Sequence, residues 1–338
     1  MHVKKPKHIL CMGGGTGTYT VLSGLKKQMT EQVDLSAIVS VSDSGGSTGR
    51  LRDEFGYLPV GDLRMALVAL SEAENGDDVL RKLFLHRFNK GKGLDGHNVG
   101  NLLLVALTDI LGSEERAIEH ASKVLRVKGN VIPVSTDAVT LVAQCADGSV
   151  VKGESSIDEP RHGRDGTQKI TKLWLEPSAH ISDNAQEAIE DADLIVLGPG
   201  DLYSSVLANV VVDGVSSALQ RSKGKLVYIV NLMSKYGQTH GLTAKGHVDE
   251  IARYTNRFPD YVMINTAPLP SAILGKYKKQ KEFPIEDDID TNAHKNSKIL
   301  RDGFLAKEEI VKPSGDILKR SLIRHDSIKL ARAIISLI

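Results

Sequence analysis

The chain has 338 residues with 43 Lys and Arg against 42 Asp and Glu, a formal charge of +1. That balance excludes a global basic field for nucleic acid, and an aromatic share of 4% excludes a broad base-stacking surface. The length allows a large core, no run approaches the roughly 18 apolar residues of a membrane span, and the basic start Met1 to Lys7 meets too short an apolar run for a signal peptide.

In chain order, Ile9-Leu10-Cys11-Met12 reads as a buried strand that breaks into Gly13-Gly14-Gly15-Thr16-Gly17-Thr18. Val21, Leu22 and Leu25 then fall on one face of a helix. A glycine loop at a helix N-terminus lets backbone N–H groups approach an anion, which points to a phosphorylated ligand. The spacing is neither a dinucleotide fingerprint, which wants Gly where Thr18 stands, nor a Walker loop, which wants Lys after Gly17. The plain alternative is a tight turn without ligand, but four glycines in five residues exceed what a turn needs.

Leu35 to Val41 reads as the second strand, ending in Asp43-Ser44-Gly45-Gly46 with Arg50 and Arg52 just beyond. In a doubly wound parallel sheet both loops face one crevice. Asp43 there can bind a ribose hydroxyl or hold Mg²⁺ beside phosphates. Arg50 and Arg52 can pair with a diphosphate, or sit as solvated loop charges. Gly61-Asp62-Leu63-Arg64 opens an apolar helix with Asp62 where an N-cap belongs. Asp77 to Phe88 is helical, and His97 and Asn98 start another apolar helix with Asn101 one turn on. Glu114 to Arg126 is a further amphipathic helix.

Four short strands follow, Val131 to Val134, Thr140 to Cys145, Val150 to Lys152 and Ile170 to Leu175, the second and third joined by the hairpin signal Ala146 to Ser149. They read as an antiparallel elaboration at about residues 131–176. The polar stretch Gly153 to Thr167, with Arg161, His162 and Arg164, reads as a loop or lid. The α/β rhythm returns with helix Asp183 to Asp191 and strand Asp193 to Leu197. That strand ends in a third small-residue loop, Gly198-Pro199-Gly200-Asp201-Leu202-Tyr203-Ser204-Ser205. Leu226 to Val230 ends at Asn231, and Tyr261 to Asn265 is the last clear strand. Lys276 to Lys281 and Glu286 to Asp290 read as solvated charged loops. Asp326 caps the terminal helix, and Arg324 before it either reaches back to the crevice or lies exposed.

The expectation is one α/β domain over residues 1–338, a doubly wound, mostly parallel sheet with an antiparallel elaboration. Cys11 and Cys145 lie in apolar stretches, without metal spacing or a disulfide framework, as suits a cytoplasmic chain.

Through these loops the chain resembles the CofD/YvcK family. The matching stretches are Cys11 to Thr18, Asp43 to Arg52, Pro59 to Arg64, His97 to Leu102 and Gly198 to Ser205, and more weakly Asn231 to Ser234. The arginine-bearing second loop and Pro59 to Arg64 look like the YvcK branch, the bacterial gluconeogenesis factors. The resemblance implies a Rossmann-like fold and binding of a nucleotide sugar, UDP-N-acetylglucosamine or UDP-glucose. It also implies a part in cell shape and wall synthesis on gluconeogenic carbon. The expected contacts are Gly13 to Thr18, Asp43 to Gly46, Arg50, Arg52, Asp62, Arg64, Asn98, Asn101, Gly198, Gly200, Asp201, Ser204, Asn231 and Arg324. No catalytic residue, required cofactor or metal is assigned, and a homo-oligomer with a regulatory protein partner is expected.

The runner-up is a Mg²⁺-dependent phospholactate-type transferase, with Asp43 or Asp62 holding the metal. A NAD(P) dehydrogenase ranks third, because Thr18 and the arginine-bearing loop do not suit it. Against the transferase branch, Gly61-Asp62-Leu63-Arg64 stands where those proteins look to carry Asp-Leu-Asp, and Gly198-Pro199-Gly200-Asp201 where they look to carry Gly-Pro-Ser-Asn.

Overall fold

The computed structural model describes residues 5–72, 79–160, 164–290, 297–307 and 322–338. β1 (Lys7–Gly13) runs into α1 (Gly15–Gln28) and β2 (Val33–Val39) into α2 (Gly46–Phe55). Four helices follow, α3 (Gly61–Leu70), α4 (Val79–Leu85), α5 (Val99–Leu111) and α6 (Glu114–Val124), before β3 (Asn130–Pro133). Next come β4 (Thr140–Cys145), β5 (Val150–Lys152), the short α7 (Glu154–Asp158) and β6 (Ile170–Glu176). After α8 (Asp183–Asp191) and β7 (Leu194–Leu197), a π-helical turn at Leu202–Leu207 continues as α9 (Ala208–Val210). The chain closes with α10 (Val215–Arg221), β8 (Lys225–Ile229), α11 (Ala244–Thr255), β9 (Tyr261–Asn265), α12 (Ser271–Lys279), β10 (Lys298–Asp302) and α13 (Ser327–Ile335).

Seven strands form one sheet in the order β3-β2-β1-β7-β8-β9-β10. Every neighbouring pair in it is parallel. The order reverses direction between β1 and β7, which makes that junction the switch point of a Rossmann-like sheet. β1 shows why its sequence is apolar without alternation. Ile9 and Cys11 face a core shared with α1, α3 and α13, whereas Leu10 and Met12 face the opposite core. Both faces are covered, so both phases of the strand are buried.

The elaboration is a separate antiparallel sheet, β5-β4-β6, with Leu141, Ala143, Leu173 and Leu175 turned into the second core. It starts later than expected. Residues 131–133 lie in β3, which pairs in parallel with β2 and belongs to the main sheet. β10 escaped the sequence pattern because it is an edge strand with exposed and half-buried residues. The basic stretch expected as a loop from Lys276 is helical through Lys279. Of the helix expected over Asp77 to Phe88, α4 covers Val79–Leu85, and residues 77 and 78 lie outside the described residues, as do Arg161 and His162. Among the described residues no helix is long and apolar enough to cross a membrane.

Candidate functional site

A cleft of about 870 Å³ opens over the carboxyl ends of β1, β2, β7 and β8. Gly14, Gly15, Thr16 and Gly17 line it from the start of α1, and Gly200, Asp201 and Ser205 line it from the loop after β7. The two loops touch: an added Cβ on Gly17 would lie 2.5 Å from the Pro199 carbonyl oxygen. They therefore share one edge of the sheet, as a parallel α/β pattern requires.

The reasons for the glycines differ from the sequence expectation. A Cβ on Gly13 would lie 2.5 Å from Thr18 Oγ1, and one on Gly14 would overlap Asp62 Oδ2. Gly13, Gly14 and Gly17 are thus small because protein groups press on them. Gly15 alone has open space around it, with φ of +61°, where a side chain would be strained. Thr18 is buried beside Gly13 and Gly198, so none of these three lines the cleft.

Asp62 is not the N-cap of α3. Val60 holds that place, and Asp62 Oδ1 accepts a 2.7 Å hydrogen bond from Gly15 N. Asp43 Oδ1 accepts from Gly45 N at 2.8 Å, and Asp43, Gly45 and Gly46 line the cleft. Ser44 turns toward α7, where its Oγ accepts from Ser155 N at 3.1 Å.

Arg50 and Arg52 correct the expectation of a diphosphate clamp. α2 begins at Gly46, and its turn carries both side chains away: Arg50 donates to the Asp95 carbonyl at 2.9 Å, and Arg52 to Asp53 Oδ1 at 3.0 Å. Neither is among the residues lining the cleft. Arg64 does line it, buried, donating from Nε to Asn101 Oδ1 at 2.7 Å. Asn98 caps α5 by accepting from Asn101 N and lies behind the cleft wall. Ser204 is buried behind it too, accepting from Gln238 Nε2 at 3.0 Å. Asn231 faces the cleft and donates to the Gly200 carbonyl at 3.0 Å.

Several lining residues were not foreseen. Lys276 and Lys279 on α12, with Tyr277 between them, form part of the wall together with Lys235 and Lys281. Tyr277 Oη accepts from Leu322 N and Ile323 N, which brings Arg324 and His325 to the same wall. The elaboration contributes Glu154 and Asp158 on α7. The sequence pattern reads Lys276 to Lys281 as a solvated loop, and no local signal places Lys276 and Lys279 at the cleft.

Residues 9–305 match the family described as 2-phospho-L-lactate transferase CofD. The chain belongs to the CofD family. It is 39% identical over 337 residues to the gluconeogenesis factor of Bacillus subtilis, covering 99% of each chain. It is 40% identical over 333 residues to that of Halalkalibacterium halodurans, covering 98% of this chain and 96% of the relative. A crystal structure of a UPF0052 family member from Bacillus halodurans superposes with a TM-score of 0.86 at 38% identity, covering 98% of this chain and 99% of that one.

In this CofD-family cleft the carboxyls crowd one another. Burial, and then the charge of Asp43, push Asp62 up to about 7. Burial, and then Asp158, push Asp201 up to about 7. Burial also raises Asp43, against hydrogen bonds from Gly45 and Thr48 and the charges of Arg64 and Arg52. Glu154 is raised by burial and by Asp43. Burial works against the charge of Lys235, but Asp201 and Asp158 outweigh it and hold the ammonium above its usual value. Among the described residues no group of three or more acid, histidine and cysteine side chains is placed to hold a metal ion. Asp62 is engaged by Gly15 N, and Asp43 by Gly45 N and Thr48.

Proposed function

We propose that the cleft binds a nucleotide sugar, UDP-N-acetylglucosamine or UDP-glucose, and that the protein is a cytoplasmic, homo-oligomeric regulator of wall synthesis and cell shape during gluconeogenic growth. The observation that carries the ligand class is the switch-point cleft, where the N-terminus of α1 meets the loop after β7 and which the buried Arg64 also lines. Backbone donors, the positive end of a helix and a guanidinium are the groups a diphosphate needs. At about 870 Å³ the cleft has room for a nucleoside and a sugar on either side of that diphosphate. Uridine and the sugar are chosen by family resemblance, and the regulatory role by the gluconeogenesis factors among the relatives.

Phospholactate-type transfer with Mg²⁺ is the second reading, favoured by the family description and by the carboxyls in the cleft. Arg64 speaks for holding a diphosphate over breaking it, since it supplies a fixed cation where the transferases look to have a second carboxylate. Calorimetry with UDP-sugars, GDP, NAD and NADP, each with and without Mg²⁺, separates the readings. UDP-sugar binding without Mg²⁺ is expected, and a preference for GDP that requires Mg²⁺ would favour the transferase.

A further inference from the structure

We propose that Asp62 is a built-in competitor of the bound diphosphate: its carboxylate occupies the first backbone donor of α1 in the free protein, and a nucleotide must turn it aside to bind. The inference rests on reading the cleft as a nucleotide site. α1 starts at Gly15 behind an N-cap, Gly14, that has no side chain to cap it. The first turn leaves the N–H groups of Gly15, Thr16 and Gly17 without carbonyl partners in the helix. Asp62, on α3, supplies the missing acceptor: its Oδ1 takes the Gly15 N–H at 2.7 Å. Its Oδ2 rests on Gly14, where a Cβ would overlap it. The carboxylate therefore covers the loop from Gly14 to Gly15, and it does so from inside the cleft, which Asp62 lines together with Thr16 and Gly17.

A carboxylate and a phosphate seek the same groups at a helix start, free N–H donors and the positive end of the dipole. They cannot both hold Gly15 N. A phosphate on the adjoining donors of Thr16 and Gly17 still meets the Asp62 charge at close range. The cleft also carries signs of a ligand that are independent of this helix. Asn231 gives Nδ2 to the Gly200 carbonyl and is left with an Oδ1 that has no partner among the described residues. His325 is buried in the same cleft wall, and its Nε2 has no partner among the described residues either. A ligand with polar groups beyond its phosphates can satisfy such atoms and so offset the displacement of Asp62, whereas inorganic phosphate brings little but charge. Asp62 thus sets a threshold on phosphate binding. If Gly15 N is uncovered in about one molecule in ten, every ligand that needs it binds about tenfold more weakly than the bare helix start would hold it.

The test is calorimetry with inorganic pyrophosphate and with UDP-glucose on the wild type, Asp62→Ala and Asp62→Asn, in EDTA and again in Mg²⁺. It is run at about pH 8.5, where the Asp62 carboxyl, pushed up to about 7, is ionised. Without metal, Asp62→Ala should bind both ligands roughly tenfold more tightly, because the same contact is displaced for each. Asp62→Asn loses the charge but keeps an oxygen for Gly15 N, so it should gain less. A crystal structure of the wild type with pyrophosphate gives a second measurement that does not depend on the variants folding. A phosphate oxygen should stand at Gly15 N, with Asp62 turned away. Unchanged or weaker metal-free binding by folded Asp62→Ala overturns the proposal and leaves Asp62 a plain cap of α1. An equal gain in Asp62→Asn overturns it by making Asp62 only a like charge, and a loss of affinity in Asp62→Ala confined to Mg²⁺ overturns it by making Asp62 a metal ligand. Asp62 still on Gly15 N beside bound pyrophosphate overturns it as well. In all these cases UDP-glucose binding by the wild type leaves the nucleotide reading standing. No binding of pyrophosphate, UDP-glucose, UDP-N-acetylglucosamine or GDP by any of the three proteins overturns both.

Discussion

Asp62 Oδ1 lies 2.7 Å from Gly15 N, so the helix start expected to receive a phosphate already holds an acid from α3. The same carboxylate presses on Gly14, whose missing side chain makes the approach possible. A Cβ there would overlap Asp62 Oδ2. Gly14→Ala should therefore lower the melting temperature by several degrees, roughly what 1–3 kcal/mol of overpacking costs. Adding Asp62→Ala should recover much of that loss, because neighbouring substitutions that share a clash are not additive. Thermal melts of the two single variants and the double variant check this, and strict additivity would refute it.

Gly15→Val should leave a folded protein that no longer binds nucleotide. The residue has φ of +61° and nothing within 4 Å, so the cost in the free protein is backbone strain of about 1–2 kcal/mol. The new side chain would occupy the space in front of the α1 N-terminus. Circular dichroism checks the fold and calorimetry the affinity; an unchanged affinity in a folded variant would sink the prediction.

The free protein should gain stability as the pH falls from about 8 to about 6.5. Asp62 and Asp201 titrate near 7 when folded against a usual 3.8, so the folded state binds more protons between those values. Their penalty is full above 7 and is relieved on acidification. His247 and His325 act in the opposite sense: burial lowers both from 6.5 to about 4, so the unfolded state binds more protons there and stability is lost below 6.5. Asp201→Asn should raise the melting temperature at about pH 8 and change it little at about pH 5. A wild-type melting temperature that is flat from neutral to mildly alkaline pH would contradict this.

Arg324→Ala should weaken UDP-sugar binding at least fivefold, about 1 kcal/mol, with the fold intact. Its side chain lines the cleft, while its backbone carbonyl accepts from Ala306 N and does not depend on the guanidinium. An affinity within twofold of wild type would make the residue structural only.

No phospholactate transfer is expected. Arg64 is buried at the cleft and clamped to Asn101, so it does not swing away to leave Asp43 and Asp62 as a free carboxylate pair. Incubation with Mg²⁺, a deazaflavin acceptor and a phospholactyl-guanosine donor should give no product in excess of enzyme. Repeated turnover would reverse the assignment.

Most of the strands, and the edge on which they end, were legible in the order of the residues; β10 and the sheet to which β3 belongs were not. Ile9 to Met12, Leu194 to Leu197 and Val262 to Ile264 are apolar in both phases, which only a strand covered on both faces requires, and each breaks into small or amide residues. Successive parallel strands with helical crossovers must end on one edge, so the meeting of the first and third loops was legible. Which side chains reach the cleft depended on packing between segments far apart in the chain. Arg50 and Arg52 depended on where α2 starts its turn, and Lys276 and Lys279 on where α12 packs. Glu154 and Asp158 depended on an antiparallel insertion folding back over a sheet edge. The glycines carried the most misleading local signal: three of the four in the first loop are small because Thr18, Asp62 and Pro199 lie against them. A close approach between segments distant in sequence leaves the same residue behind as an anion site does, and only coordinates tell the two apart.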